Sequence, residues 1–101
     1  MALKAGIKEN VMPNTLSFIF KWSTREQALS QMGPTYRKTK EKFSGYPGHS
    51  LSGDRQDKTV AKLSFLTDKN YSDKDIIKGL GELFPGRKVQ KSGDDFRIEF
   101  V

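Results

Sequence analysis

His49 is the side chain in this sequence best suited to acid–base chemistry. It is the only histidine, and Tyr46 and Arg55 lie close to it, with Glu41 and Asp54 as candidate carboxylate partners. Such a set could act as general acid and base in an RNA-cleaving toxin of the RNase type. Because a histidine in an exposed loop more commonly has no catalytic role, we predict no catalytic residue and no enzymatic activity.

Metal and cofactor chemistry has little support in the residue types. The chain of 101 residues has no cysteine and a single histidine, so it lacks the pairs of thiolates or imidazoles that hold zinc. No glycine-rich loop is followed by the Lys-Ser or Lys-Thr pair of a phosphate-binding loop. We therefore predict no metal and no cofactor.

The basic residues provide the strongest functional pattern. The net charge is +6, and the stretch 34–58 carries six basic against three acidic residues, which is half of that excess. A local positive field of this kind attracts polyanions. The basic residues of the stretch are Arg37, Lys38, Lys40, Lys42, Arg55 and Lys58. They lie on either side of a loop, so we predict a two-sided clamp on a phosphate backbone.

A second basic set follows from strand periodicity. Residues 15–22, 59–67 and 95–101 alternate between apolar and polar positions, and their aromatic residues all share the parity of the predicted core. The opposite face has no ring, and its basic residues are Lys21, Lys62, Lys88 and Arg97. Such a face cannot stack on bases. Its cations can still contact phosphates, which positions nucleic acid without reading its sequence.

Capping and breaker residues predict two helices. The run S-T-R-E from Ser23 is a capping box that predicts a short helix over residues 24–32, which Gly33 and Pro34 end. Ser72 caps a second, amphipathic helix. Its apolar residues recur at spacings of three and four: Ile76, Ile77, Leu80, Leu83 and Phe84. A closing hairpin over 87–91 and 95–101 follows.

The middle of the chain is harder to interpret. Residues 35–43 (TYRKTKEKF) fit two helical turns by the spacing of Tyr36 and Phe43, but the threonines and the lack of a helix start favour an exposed basic strand, which we predict. Residues 44–57 hold three glycines, one proline and three serines. That composition predicts a long flexible loop, and such loops are usually functional or disordered.

Together the elements predict an α+β fold in the order β-α-β-β-α-β-β. We expect two helices packed on one face of a mostly antiparallel sheet of four to five strands, in the split β-α-β arrangement of ferredoxin-like folds. The length suits a single domain over 1–101, with a long flexible loop at 44–57 and a loosely ordered N-terminus at 1–12. No stretch approaches the roughly 18 apolar residues of a membrane span, and the lack of cysteine suits a reducing compartment. We therefore expect a cytoplasmic protein without membrane contact.

Three functional classes fit these features. The first is a small basic non-catalytic module that binds DNA or RNA by its phosphate backbone. The second is a compact inhibitor or adaptor, such as a phage or mobile-element accessory protein that acts on a nucleic-acid-handling host complex. It would bind an acidic protein surface through the ring-free sheet face or through the loop around Tyr46, His49 and Leu51. The third is the RNase-type toxin that would use His49.

Overall fold

Five strands and two helices make up residues 14–100, the part of the chain that the computed structural model describes. The strands are β1 (Asn14–Trp22), β2 (Ser50–Gly53), β3 (Val60–Thr67), β4 (Lys88–Ser92) and β5 (Asp95–Phe100). The helices are α1 (Arg25–Lys42) and α2 (Asp73–Leu83). The predicted α+β class with two helices is confirmed. The prediction for residues 1–12 falls outside the described residues.

The sheet is mixed, with the strand order β2-β3-β1-β5-β4. The pairs β1–β3, β2–β3 and β4–β5 are antiparallel, whereas the central pair β1–β5 is parallel. The prediction of a mostly antiparallel sheet is therefore wrong, and the ferredoxin-like plan is not confirmed. The physical reason is the connection after α2: it leads to β4 at the far edge, and the hairpin through Gly93 then returns β5 beside β1 in the same direction.

The aromatic residues of the strands form the core, as their parity predicts. In β1 the even positions from 16 to 22 are buried, and both Phe18 and Phe20 are almost completely removed from solvent. The Phe18 ring stacks on Phe65 from β3 at 5.6 Å and on Phe43 from the end of α1 at 5.7 Å, measured between ring centroids. Helix α2 adds Ile76 to the same cluster. Both helices therefore pack on one face of the sheet. We name the other face, which no element of residues 14–100 covers, the uncovered sheet face.

Helix α1 is twice as long as the sequence suggests. Its N-cap is Thr24, and it continues through Gly33 and Pro34 as far as Lys42. The predicted stop at 33–34 and the predicted strand at 35–43 are both wrong. The reason is a stripe of small residues that faces the core, in which Thr35 and Thr39 are buried. The Thr39 hydroxyl donates to the Thr35 carbonyl at 2.8 Å, so the polar atom is satisfied within the helix and the methyl groups pack inward.

The segment 44–57 contains the edge strand β2, which pairs with β3 from Ser50 opposite Ser64 to Gly53 opposite Ala61. Backbone bonds also hold the part of the segment that precedes β2. The Gly45 amide donates to the Lys40 carbonyl at 2.8 Å, and the Tyr46 amide donates to the Leu66 carbonyl at 2.7 Å. The predicted order of elements is therefore correct, but its second strand lies at 50–53 and not at 35–43.

Candidate nucleic-acid interface

Helix α1 distributes its basic residues over two sides. Successive residues advance by about 100° around a helix, and the core side of α1 carries Ala28, Thr35 and Thr39. The side next to β2 and the turns around it carries Arg25, Leu29, Met32, Tyr36 and Lys40. Because of this helical periodicity, basic residues that are neighbours in the sequence lie on different sides of the helix.

The first of two clefts on this side lies at the C-terminal half of α1. Tyr36, Arg37 and Lys40 line it from the helix, and His49 lines it from the turn before β2, around a volume of about 450 Å³. The Lys40 ammonium lies 3.4 Å from Nδ1 of His49, and the rings of Tyr36 and His49 are 4.5 Å apart. The Arg37 guanidinium lies 6.0 Å from the centre of the Tyr36 ring. Glu41 is the one acidic residue that borders this cleft.

The second cleft lies at the start of α1 and encloses about 340 Å³. Arg25 lines it from the helix, and Arg55 and Lys58 line it from the turn between β2 and β3. Asp54 also borders it, but an oxygen of its carboxylate accepts the backbone amides of Gln56 and Asp57 and thereby shapes the turn. Exposed Leu29 contributes an apolar wall, with 67% of its surface in contact with solvent.

We name the five basic residues of these clefts the basic flank: Arg25, Arg37, Lys40, Arg55 and Lys58. Against them stand two acidic residues, Glu41 and Asp54. No residue of the flank forms an ion pair with an acid between residues 14 and 100. From Arg25 to Lys40 the helix spans about 22 Å, so the two clefts together form an elongated positive surface.

Arg25 belongs to this surface although it was not among the predicted binding residues. Its signal was its distance of 11 and 15 residues from Tyr36 and Lys40, which is close to three and four whole helical turns and places all three on one helix side. That spacing has meaning only when residues 25–42 form one helix, and the predicted break at Pro34 concealed it.

Two residues of the predicted run face α2 and not β2. Lys38 borders a groove of about 460 Å³ together with Trp22 and Arg87. The Lys42 ammonium donates to the Glu82 carboxylate at 2.8 Å and lowers the pKa of that carboxyl. The structure therefore separates both lysines from the basic flank.

The uncovered sheet face carries the other four predicted residues, and three of them pair with acids of the protein itself. Those three pairs are Lys21 with Asp57 at 3.2 Å, Lys62 with Asp95 at 3.6 Å and Arg97 with Glu99 at 3.0 Å. Lys88 has no such partner among the described residues and lies on the edge strand β4. Charge on this face is largely balanced. Glu99 lies two residues from Arg97 on β5, whereas the partners of Lys21 and Lys62 come from a turn and from another strand, which the sequence could not reveal.

The three residues predicted for a partner-binding loop have different surroundings. Leu51 is half-buried and packs against the core, opposite Leu63 of β3. Tyr46 has 37% of its surface exposed and borders an apolar cavity beside Leu66, which is 41% exposed. His49 borders both that cavity and the first basic cleft. The three residues therefore do not form one surface.

The environment of His49 bears on the acid–base hypothesis. Among described side chains its hydrogen-bond partner is the Lys40 ammonium and not a carboxylate. Glu41 borders the same cleft, but Asp54 borders the other one. A neutral His49 can accept from Lys40 through Nδ1, which leaves its second ring nitrogen as a donor.

Comparison of the chain with protein-family models, curated proteins and solved structures found no match. Within residues 14–100, no three histidine, aspartate or glutamate side chains converge on a point where a metal ion could bind. Neither helix of that part has an apolar stretch long enough to cross a bilayer. Any functional assignment therefore depends on the geometry described above.

Proposed function

We propose that this protein is a non-catalytic nucleic-acid-binding module that contacts the phosphate backbone through its basic flank. The observation that supports the proposal most directly is the set of five basic residues, without acidic partners among residues 14–100, on one side of α1 and the adjoining turns. Unpaired cations can bind phosphates without first breaking an internal ion pair. The phosphates of one duplex strand are spaced by about 3.4 Å along the axis, so a span of about 22 Å covers roughly six of them.

Side-chain chemistry supports the same proposal. Three of the five residues, Arg25, Arg37 and Arg55, are arginines. The planar guanidinium group matches two phosphate oxygens at once, whereas a lysine acts as a point charge. Because these contacts are to the backbone, the module binds without reading sequence. In this proposal the paired cations of the uncovered sheet face keep their acidic partners and do not contact phosphates. They are Lys21, Lys62 and Arg97.

The proposal is tested by fluorescence anisotropy on labelled DNA and RNA at increasing salt. If all five cations contact phosphates, the plot of log K against log salt has a slope of roughly −3.5 to −4.5. The variant Arg37→Ser/Lys40→Ser is expected to flatten that slope by roughly 1.5 to 2. Lack of binding at about 50 mM salt would contradict the proposal.

A matched control separates position from net charge. The variant Lys74→Ser/Lys78→Ser on α2 removes the same charge from residues outside the basic flank. We expect it to retain most of the wild-type slope. Equal losses in the two variants would mean that the basic flank has no special role.

A second function, a protein-binding inhibitor or adaptor, is favoured by the edge of β2, with which no other strand of the described residues pairs. The Asp54 amide donates to Val60 of β3, so by strand alternation the backbone groups of Leu51 and Gly53 point away from the sheet. The strand reads SLSG and lacks the lysine or proline that usually protects an edge. An extended acidic segment of a partner could add a strand there, between the two basic clefts.

The two functions predict different results from one capture experiment. Immobilised protein is incubated with a host extract in which all nucleic acid has been digested. A retained protein whose binding slows amide exchange of Leu51 and Gly53 supports the adaptor function. Recovery of proteins only when nucleic acid is left intact supports the nucleic-acid-binding module.

A further inference from the structure

The turn between α1 and β2 separates two cavities of different character. On the helix side lies the first basic cleft, with Arg37 and Lys40. On the side of the uncovered sheet face lies a cavity of about 300 Å³ with mainly apolar walls. Tyr46, Pro47, Phe65 and Leu66 contribute to those walls. His49 borders both cavities, so an apolar cavity and a cationic cleft lie directly beside each other.

The turn that carries Tyr46 is firmly held. The Gly45 and Tyr46 amides are both bonded to backbone carbonyls, and the Thr67 hydroxyl donates to the Ser44 carbonyl at 3.1 Å. Gly45 fits so closely that a Cβ atom there would lie 2.7 Å from the Phe65 ring. The Tyr46 ring is therefore presented to solvent from a fixed backbone, which reduces the entropy lost when it stacks on a ligand.

We propose that the cavity beside Tyr46 receives one unpaired base of a single-stranded nucleic acid, while Arg37 and Lys40 hold the adjacent phosphate. This inference rests on the proposed function and adds the class of substrate. Single-strand binding combines a cationic groove with aromatic side chains on which bases stack. A duplex keeps its bases inside the stack, so it can use only the phosphate contacts. Among the described residues, the uncovered sheet face has no aromatic ring of its own, but the turn at its edge supplies the ring of Tyr46.

The experiment compares three labelled probes of about 12 nucleotides: a single strand, a duplex, and an abasic strand with the same phosphates and no bases. The wild-type protein is expected to bind the single strand roughly 5- to 100-fold more tightly than the abasic strand. Tyr46→Ala is expected to remove most of this preference and to leave binding of the abasic strand unchanged. Tyr46→Phe, which keeps the ring, is the matched control and should bind as the wild type does.

Leu66→Ser tests the same cavity from β3 in case the turn refolds in Tyr46→Ala. Circular dichroism confirms that each variant is folded before binding is measured. Equal wild-type affinity for the single strand and the abasic strand overturns this inference but leaves the proposed phosphate contact intact. Absence of binding to all three probes at about 50 mM salt overturns both.

Discussion

Asp57 shows how immediate neighbours determine the charge of one residue on this surface. Its carboxylate accepts hydrogen bonds from the hydroxyl and the amide of Thr59 and from Lys21. These bonds, first that of the Thr59 hydroxyl, lower the pKa of Asp57 from its usual 3.8 to about 2. The group therefore stays ionised well into acidic conditions and keeps Lys21 engaged at the uncovered sheet face.

The lowered pKa has a consequence for stability in acid. A carboxyl whose pKa is lower in the folded state stabilises the fold above pH 3.8, and this contribution is lost as the pH falls toward 2. We therefore expect the urea midpoint of the wild type to exceed that of Asp57→Asn near pH 6. The difference should shrink between about pH 4 and pH 2. Urea titrations across this range provide the measurement.

Asp94→Asn is the control for this titration. Asp94 is an exposed carboxylate in the β4–β5 turn, and its side chain has no hydrogen bond to another residue in the described part of the chain. Its substitution removes the same charge without removing a hydrogen bond, so it should lower the urea midpoint near pH 6 by less than Asp57→Asn does. A pH-independent difference for Asp57→Asn would contradict the role assigned to the Thr59 and Lys21 bonds.

The two glycines of α2 differ in how closely other residues pack against them. A Cβ atom at Gly79 would lie 2.8 Å from Cζ of Phe43, because α2 crosses the end of α1 at this point. At Gly81 a Cβ atom would meet no atom within 4 Å. The first glycine permits close packing of the helices, whereas the second has no packing role among the described residues.

Alanine substitutions at these two glycines should therefore change the free energy of unfolding in opposite directions. Gly79→Ala is expected to lower the free energy of unfolding by about 1–2 kcal/mol, because overpacking outweighs the gain in helix propensity. Gly81→Ala is expected to raise it by about 1 kcal/mol, because only the propensity changes. Urea denaturation of the two variants measures both effects. Equal signs would contradict the close contact between Gly79 and Phe43.

Pro34 in the middle of α1 provides a test of how a proline affects the stability of this helix. Proline has no amide hydrogen, so the carbonyl of Ser30 one turn earlier lacks its helical partner. We expect Pro34→Ala to raise the free energy of unfolding by about 1–3 kcal/mol. Pro85→Ala, just after α2, is the control and should change it by less than about 1 kcal/mol. If the midpoint of thermal unfolding is unchanged or lowered in Pro34→Ala, the helix is bent at this position and proline suits the bend.

The elements differ in how far the sequence predicts them, for physical reasons. Strict alternation identifies β1 and β3, and spacings of three and four identify α2. The second half of α1 was missed because its core side consists of threonines, whose hydroxyl groups bond within the helix. The strand β2 was missed because SLSG has one apolar residue and is stabilised by pairing with a distant strand. For the same reason the acids that pair with Lys21 and Lys62 could not be predicted, whereas the basic run itself could.

At the scale of the whole molecule, the excess of positive charge is concentrated on one side. The two clefts of the basic flank contain five basic and two acidic residues, which equals half of the net charge of +6. The uncovered sheet face is largely balanced by its own pairs. A polyanion therefore meets an asymmetric field, which favours approach from the side of α1 and β2.

Charge reversal at two places tests this asymmetry. Arg25→Glu/Arg55→Glu changes the second cleft, and Lys69→Glu/Lys88→Glu makes the same change in net charge outside the flank. If position matters, the first variant lowers the magnitude of the salt slope of nucleic-acid binding by about 2, and the second lowers it by less than about 1. Equal effects would show that total charge alone attracts the polyanion. Salt-dependent anisotropy measures both variants.

The pairing of β1 with β5 also determines when the chain can fold. Phe18 lies opposite Phe96, so the first strand of the described fold is completed by the last. Such distant contacts form slowly, because the intervening chain must lose its freedom before they can act. During synthesis on the ribosome, the rings of β1 stay without their final neighbours until the closing hairpin has left the exit tunnel. Until then the apolar face of β1 lacks its partner strand, and exposed apolar surface of this kind promotes aggregation of an incomplete chain.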